Sequence, residues 1–173
     1  MIAQKALAGL IVAAAWAPPA AARIPDFIIL PPKPEPVRFE RPVPGVLQSC
    51  FCYRWGRFHS GVDLDGESGD PVSASLPGRV TAVGWLSNYA GYGLVVRLRH
   101  DGGLETMYAH LSAARVRVGE EVTQGQVIGR VGCTGSCTGS HLHFEVRVDG
   151  KLVNPMRFLG NRGRPLHWPS QGG

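Results

Sequence analysis

His141-Leu142-His143 sets two imidazoles two residues apart. In an extended strand, residues i and i+2 share a face. Phe144, Val146 and Val148 continue the alternation that marks a strand. A second stretch, His59-Ser60-Gly61-Val62-Asp63, adds one imidazole and a carboxylate four residues apart. A helix would also bring these two together, but Gly61 and the following Val62-Asp63-Leu64 favour a turn entering a strand. Two histidines and an aspartate suffice for a catalytic zinc site with an open fourth position. Only three of His59, Asp63, His141 and His143 can be ligands if that position stays open, and the spare histidine then becomes a base or an electrophile. The chemistry this donor set points to is zinc-dependent hydrolysis.

Three further histidines need placing. His110 ends the strand-like run Met107-Tyr108-Ala109 and is a candidate acid or base beside the metal. His100 precedes the turn signal Asp101-Gly102-Gly103 and is expected to make turn or surface contacts. His167 lies near the end of the chain and is assigned no role.

The elements that must position these groups read as strands. Short β-branched runs alternate with glycine: residues 78–83, 93–99, 116–118, 127–131 and 144–148. Asp101-Gly102-Gly103 and Asp149-Gly150 are hairpin signals, and no stretch sustains a 3.6-residue period. The expectation is an all-β, largely antiparallel domain over residues 47–158. The length of 173 residues is enough for one domain with its own core, and Gly 23 and Pro 14 favour turns over long helices. A net charge of +5 suits an anionic polymer but is mild, and without an RNA-binding signature or interleaved basic and aromatic residues no nucleic-acid partner is expected.

Residues 1–22 read as a secretory signal peptide. Lys5 is the positive end, Ala6 to Ala17 the apolar run, and Ala20-Ala21-Ala22 a small-residue cleavage site. The run is short for a bilayer span and Pro18-Pro19 interrupts it, so no stable membrane anchor is expected after cleavage. The implied location is periplasmic or extracellular, and a monomer is the expected state. Residues 23–46 form a Pro-rich arm, read first as a spacer; Asp26, Glu35 and Glu40 on it are also able to ligate a cation and hold an enzyme latent. Residues 159–173 read as a flexible tail. Four cysteines in an exported chain point to disulfides, with a four-thiolate zinc site as the competitor. Cys133 and Cys137 bracket a turn-like Thr134-Gly135-Ser136 that local closure would suit. Cys50 and Cys52, two apart on an expected strand, are near the upper Cα separation for a bridge.

Five motifs in order carry a resemblance: His59-Ser60-Gly61-Val62-Asp63, Gly69-Asp70-Pro71-Val72, Tyr108-Ala109-His110-Leu111-Ser112, Gly125-Gln126-Val127-Ile128-Gly129 and Thr138-Gly139-Ser140-His141-Leu142-His143-Phe144-Glu145. With Val153-Asn154-Pro155 at the close, the chain resembles the LytM/lysostaphin-type zinc metallopeptidases over about residues 47–158. The resemblance implies that His59, Asp63 and His143 bind Zn2+ while His110 and His141 handle the proton and the oxyanion. It implies a peptidoglycan stem-peptide cross-link as substrate. Phe51-Cys52-Tyr53-Arg54 stands where the family usually carries Phe-Gly-x-Arg, a departure that touches one groove wall. Some family members have lost their ligands and act as activators of cell-wall amidases; here all five positions are filled, which favours an enzyme over a non-catalytic binding module.

Overall fold

The computed structural model describes residues 38–159. The expected signal peptide, most of the Pro-rich arm and all but the first residue of the expected tail lie outside them. The chain opens with β1 (Leu47–Ser49), a hairpin of β2 (Tyr53–Arg54) and β3 (Arg57–Phe58), and β4 (Val62–Asp65). It continues through β5 (Pro71–Ser73), β6 (Gly78–Trp85), β7 (Leu94–Arg99) and β8 (Leu104–Leu111). The remaining strands are β9 (Ala113–Ala114), β10 (Glu121–Val122), β11 (Val127–Arg130), β12 (His141–Val148) and β13 (Lys151–Val153). A single helical turn, α1 (Met156–Leu159), follows.

Every pairing between these strands is antiparallel, as the runs and turns predict. The main sheet runs β1-β4-β12-β8-β7-β6-β10, with β13 also on β12. β5, β11 and β9 form a second, three-stranded sheet. β12 is the organising strand. On one side it pairs β8 along most of its length; on the other it pairs β4 over His141–Phe144 and β13 over Val146–Val148. The turn from β12 to β13 uses Asp149 and Gly150, both at positive φ (49° and 75°), the geometry of a primed two-residue hairpin.

The period of two sorts β12 into two faces. Leu142, Phe144 and Val146 are fully buried in the main core with Val62, Leu64, Leu98 and Tyr108. His141, His143 and Glu145 alternate with them and so project from the other face. A smaller apolar group, Val95, Met107 and Ala109, with Tyr89 and Tyr92 against it, packs apart from that core.

Four expectations need correction. Residues 116–118 form no strand: Arg115 N–H bonds the Ile128 carbonyl while Gly119 N–H bonds that of Val80, so the segment crosses between two sheets and pairs with neither. Cys50 to Cys52 is a bend, which brings the two Cα atoms to 5.4 Å. A strand would hold them about 6.6 Å apart. Residues 38–46, read as the end of the arm, pack on the domain. Val43 is 2% exposed in the core, Phe39 stacks on Phe158 at 4.7 Å, and Glu40 N–H bonds the Ser75 carbonyl. His100 is not a surface residue. Burial pushes its imidazole below its ordinary value, and both ring nitrogens have partners, Nδ1 at 2.7 Å from the Pro77 carbonyl and Nε2 at 2.8 Å from Thr106 Oγ1.

Candidate metal centre

The register of β12 against β4 makes His143 and Asp63 direct cross-strand partners. His59 stands just past β3, its N–H bonded to the Cys52 carbonyl, and reaches Asp63 across the turn at Ser60-Gly61. Gly61 has to be glycine here, because a Cβ would lie 2.4 Å from the Phe144 carbonyl and 2.8 Å from His143 Nε2. Three atoms converge: His59 Nε2, Asp63 Oδ1 and His143 Nδ1. His143 Nδ1 is 2.9 Å from the carboxylate oxygen and 3.0 Å from His59 Nε2, and the third edge is 3.1 Å.

The outer nitrogens of both imidazoles are already engaged as donors. His59 Nδ1 gives its hydrogen to the Cys50 carbonyl at 2.7 Å, and His143 Nε2 faces Glu145 Oε1 at 3.4 Å. In the neutral tautomers the inner atoms are therefore two lone pairs and a carboxylate oxygen at mutual contact. Three acceptors so placed repel unless a cation lies among them. A tetrahedral metal with ligand bonds of about 2.0–2.1 Å separates its donors by about 3.3 Å, close to the spacing here. His59, Asp63 and His143 could thus hold one metal ion, and two nitrogens with one oxygen suit zinc.

The electrostatics agree. Burial works against ionisation of Asp63, but hydrogen bonds from His143 and His59 outweigh it and hold the carboxyl well below the usual carboxylate range. Burial likewise works against a charged His143, yet Asp63 and Glu145 raise its basicity above the ordinary imidazole value. Without a metal, the cluster takes up a proton in its place. Arg54 closes the outside, with one guanidinium nitrogen 3.1 Å from Asp63 Oδ2 and another on Ser49 Oγ. It is the arginine of Phe51-Cys52-Tyr53-Arg54, so this segment contacts the cluster in this chain.

His141 and His110 stand together just outside the three. Their ring centroids are 4.8 Å apart, and His141 Nε2 is 3.6 Å from Asp63 Oδ1. His110 owes its place to a β-bulge. Leu94 pairs Leu111 and Val96 pairs Tyr108, so β8 carries one more residue than β7 between the two pairs. His110 sits there at φ 61°, which breaks the alternation that would otherwise turn its side chain to the core face. Burial is the largest cause of a fall that takes its imidazole down to about 4; the Thr134 carbonyl opposes the fall and neighbouring His143 and His141 add to it. His110 is therefore neutral at neutral pH, with Nδ1 donating to Thr134 O at 2.8 Å and Nε2 free to accept a proton.

Sequence reasoning assigned no role to Glu145, Tyr92 or Ser60. Tyr92 donates to Glu145 Oε1 at 2.6 Å and lies 2.6 Å from Ser60 Oγ, while Arg147 bonds Glu145 Oε2 at 3.1 Å. Burial disfavours a charged Glu145, but hydrogen bonds from His143, Ser60 and Tyr92 prevail and lower its titration. Glu145 was within reach of the strand rule, standing two residues beyond His143 on the same face. Tyr92 and Ser60 carried no such signal. Of the acidic arm residues, Glu40 lies against Gly125; Asp26 and Glu35 are outside the described residues.

A family model described as peptidase family M23 matches residues 57–155, more than half of the chain. The chain belongs to peptidase family M23. This is the group that the five motifs resemble. The DD-carboxypeptidase/endopeptidase Mpg of Neisseria meningitidis serogroup B is 48% identical over 117 residues, 64% of this chain and 26% of that protein. The murein hydrolase activator NlpD of Salmonella typhimurium is 38% identical over 104 residues, 60% of this chain and 27% of that protein. This M23 chain therefore spans about a quarter of the length of these curated relatives. Among solved structures, a zinc containing peptidase from Vibrio cholerae is similar at a TM-score of 0.63 and 32% identity, over 70% of this chain and 40% of that one. No helix among the described residues is long and apolar enough to cross a membrane.

Proposed function

We propose that this M23 chain is an exported zinc endopeptidase that hydrolyses peptide cross-links in bacterial peptidoglycan. The observation that carries the reading is the convergence of His59 Nε2, Asp63 Oδ1 and His143 Nδ1 at 2.9–3.1 Å from one another, with His110 and His141 beside them. His59, Asp63 and His143 would hold Zn2+, which when bound supplies Lewis acidity toward the scissile peptide carbonyl. His110, neutral and with Nε2 open, takes the proton from the attacking water. His141, whose Nδ1 is held by the Gly139 carbonyl at 2.7 Å, keeps Nε2 toward Asp63 and completes proton transfer or steadies the oxyanion as it forms. Arg54 holds the Asp63 carboxylate, Glu145 the His143 ring and the Cys50 carbonyl the His59 ring.

The names of its relatives support a peptidoglycan peptide as substrate. The relationship to an activator keeps a second reading in view, a domain that switches on a partner hydrolase. A filled metal set with a free base beside it favours catalysis, since activation alone needs neither. Export rests on the signal-like residues 1–22 and on four cysteines drawn as two pairs, Cys50–Cys52 and Cys133–Cys137. In that setting we expect a monomer with both disulfides formed and no four-thiolate zinc site. The test is to incubate the purified protein with isolated sacculi and identify released fragments by mass spectrometry. New termini within stem peptides or cross-bridges are expected. Intact peptides after incubation with zinc-loaded protein would leave the activator reading.

A further inference from the structure

The acceptors that hold the outer nitrogens of the site histidines fall into two groups. His59 and His143, the proposed ligands, use the Cys50 carbonyl and Glu145. His110 and His141 use the Thr134 and Gly139 carbonyls, at 2.8 and 2.7 Å. Thr134 lies inside the loop that the Cys133–Cys137 bond closes, and Gly139 lies two residues beyond it. A carbonyl only accepts, so each ring carries its hydrogen on Nδ1 there, and in the neutral ring Nε2 is then the lone pair.

Residues 133–140 contribute no strand or helix, and Cys133, Gly135, Ser136, Thr138 and Gly139 are exposed. Such a segment has little of its own to hold two carbonyls still. Its other anchors are a few hydrogen bonds to residues in and beside β7 and β8. Thr134 Oγ1 donates to the Leu111 carbonyl at 2.8 Å and accepts from Leu94 N–H at 3.0 Å. Ser136 N–H bonds the Gly91 carbonyl at 2.8 Å. The loop lies flush on Gly91 and Gly93: a Cβ on Gly135 would come within 2.4 Å of the Gly91 carbonyl, and one on Gly93 within 2.4 Å of Thr134. The Cys133–Cys137 bond is the one covalent tie across this segment.

We infer that the Cys133–Cys137 disulfide is a positioning element for His110 and His141: it holds the carbonyls that set both rings and has no part in holding the metal. The Cys50–Cys52 pair sits on the other side of this division, because the Cys50 carbonyl orients a ligand. The two disulfides therefore have separable consequences, one for turnover and one for metal affinity. The turnover half rests on the peptidase reading; the imidazole half does not.

The experiment compares the zinc-loaded protein with Cys133→Ser/Cys137→Ser and Cys50→Ser/Cys52→Ser. Zinc per chain is measured by atomic emission, zinc affinity by chelator competition, and imidazole tautomers by 15N NMR. On a cross-linked muropeptide kcat and KM are followed separately. Breaking the 133–137 pair should leave zinc affinity unchanged and lower kcat about ten- to a hundredfold with little change in KM, a cost typical of a misplaced reacting group. The His110 and His141 Nδ1–H signals should weaken together. Breaking the 50–52 pair should instead weaken zinc binding. If the 133–137 variant fails to fold, phosphine reduction of folded Cys50→Ser/Cys52→Ser protein, whose remaining bridge is Cys133–Cys137, supplies the comparison against its own oxidised form. Unchanged Nδ1–H signals, zinc lost together with turnover, or free thiols at 133 and 137 in the exported protein would overturn the inference. A wild type without hydrolysis would sink the peptidase reading alone, and the tautomer signals would still decide this one.

Discussion

Two buried histidines in this domain have opposite fates. His100 is 7% exposed and His143 is 4% exposed. At His100 the network is closed. Nδ1 donates to Pro77, Nε2 meets Thr106 Oγ1, and that hydroxyl lies 3.2 Å from Tyr108 Oη, which in turn accepts from Ser75 N–H. At His143 only the outer nitrogen is settled. The inner one faces another imidazole and a carboxylate with no hydrogen to share among the neutral forms. Burial therefore says little about function on its own. What marks a site is a set of acceptors aimed at one another, since that arrangement is costly until a cation joins it.

The sharpest way to break the comparison is to delete each ring. His143→Ala should abolish both metal and hydrolysis. His100→Ala should leave about one zinc per chain while costing about 1–3 kcal/mol of stability, because the Thr106 hydroxyl and Pro77 carbonyl lose a buried partner. Metal analysis beside urea unfolding decides it, and zinc retained in His143→Ala would mean the ligand set is wrong. Next in size is His110→Ala, expected to keep zinc and the fold while losing about 10²- to 10⁴-fold in turnover. Near-normal rates in that variant would remove His110 from the mechanism.

Glu145→Gln keeps the shape but weakens the acceptor behind His143. Zinc affinity or activity should fall about 10- to 100-fold, measured by chelator competition and muropeptide hydrolysis. The smallest effect is on pH, where the two histidines should act with opposite sign in metal-stripped protein. His143 titrates above its ordinary 6.5, so its contribution to stability is present in acid and is lost as pH rises through its folded value. His100 titrates below 6.5, so the folded state resists a proton that the unfolded chain accepts, and stability falls as pH drops below about 6.5. Unfolding curves across pH for the stripped wild type and His100→Ala separate the two, and an unchanged acid limb in the variant would refute the His100 assignment. Zinc should also bind more weakly in acid, because His143 must give up its proton.

The strand pattern of β12 was legible because a period of two is a local property. It was enough to mark Phe144, Val146 and Val148 as an alternating strand pattern, put His141 and His143 on one face, and forecast the turn at Asp149-Gly150. The residue types of the cluster, and their likeness to a family, were also plain in the chain. Local reading erred where the answer depended on contacts from elsewhere: at residues 116–118, which find no continuous partner, and at His100, where turn residues hid a buried ring.

By itself, then, the sequence determined the all-β class, the family and the five candidate residues, since each rests on short-range periodicity or on fixed spacing within a motif. Only the tertiary structure decided which atoms meet. The β4–β12 register set Asp63 beside His143, and the bulge in β8 turned His110 off the core face. The chain reversals at 50–52 and 133–140 supplied the carbonyls behind three of the four rings. These are outcomes of pairing between segments up to 84 residues apart, as His59 and His143 are, and no local pattern encodes a distance across that separation.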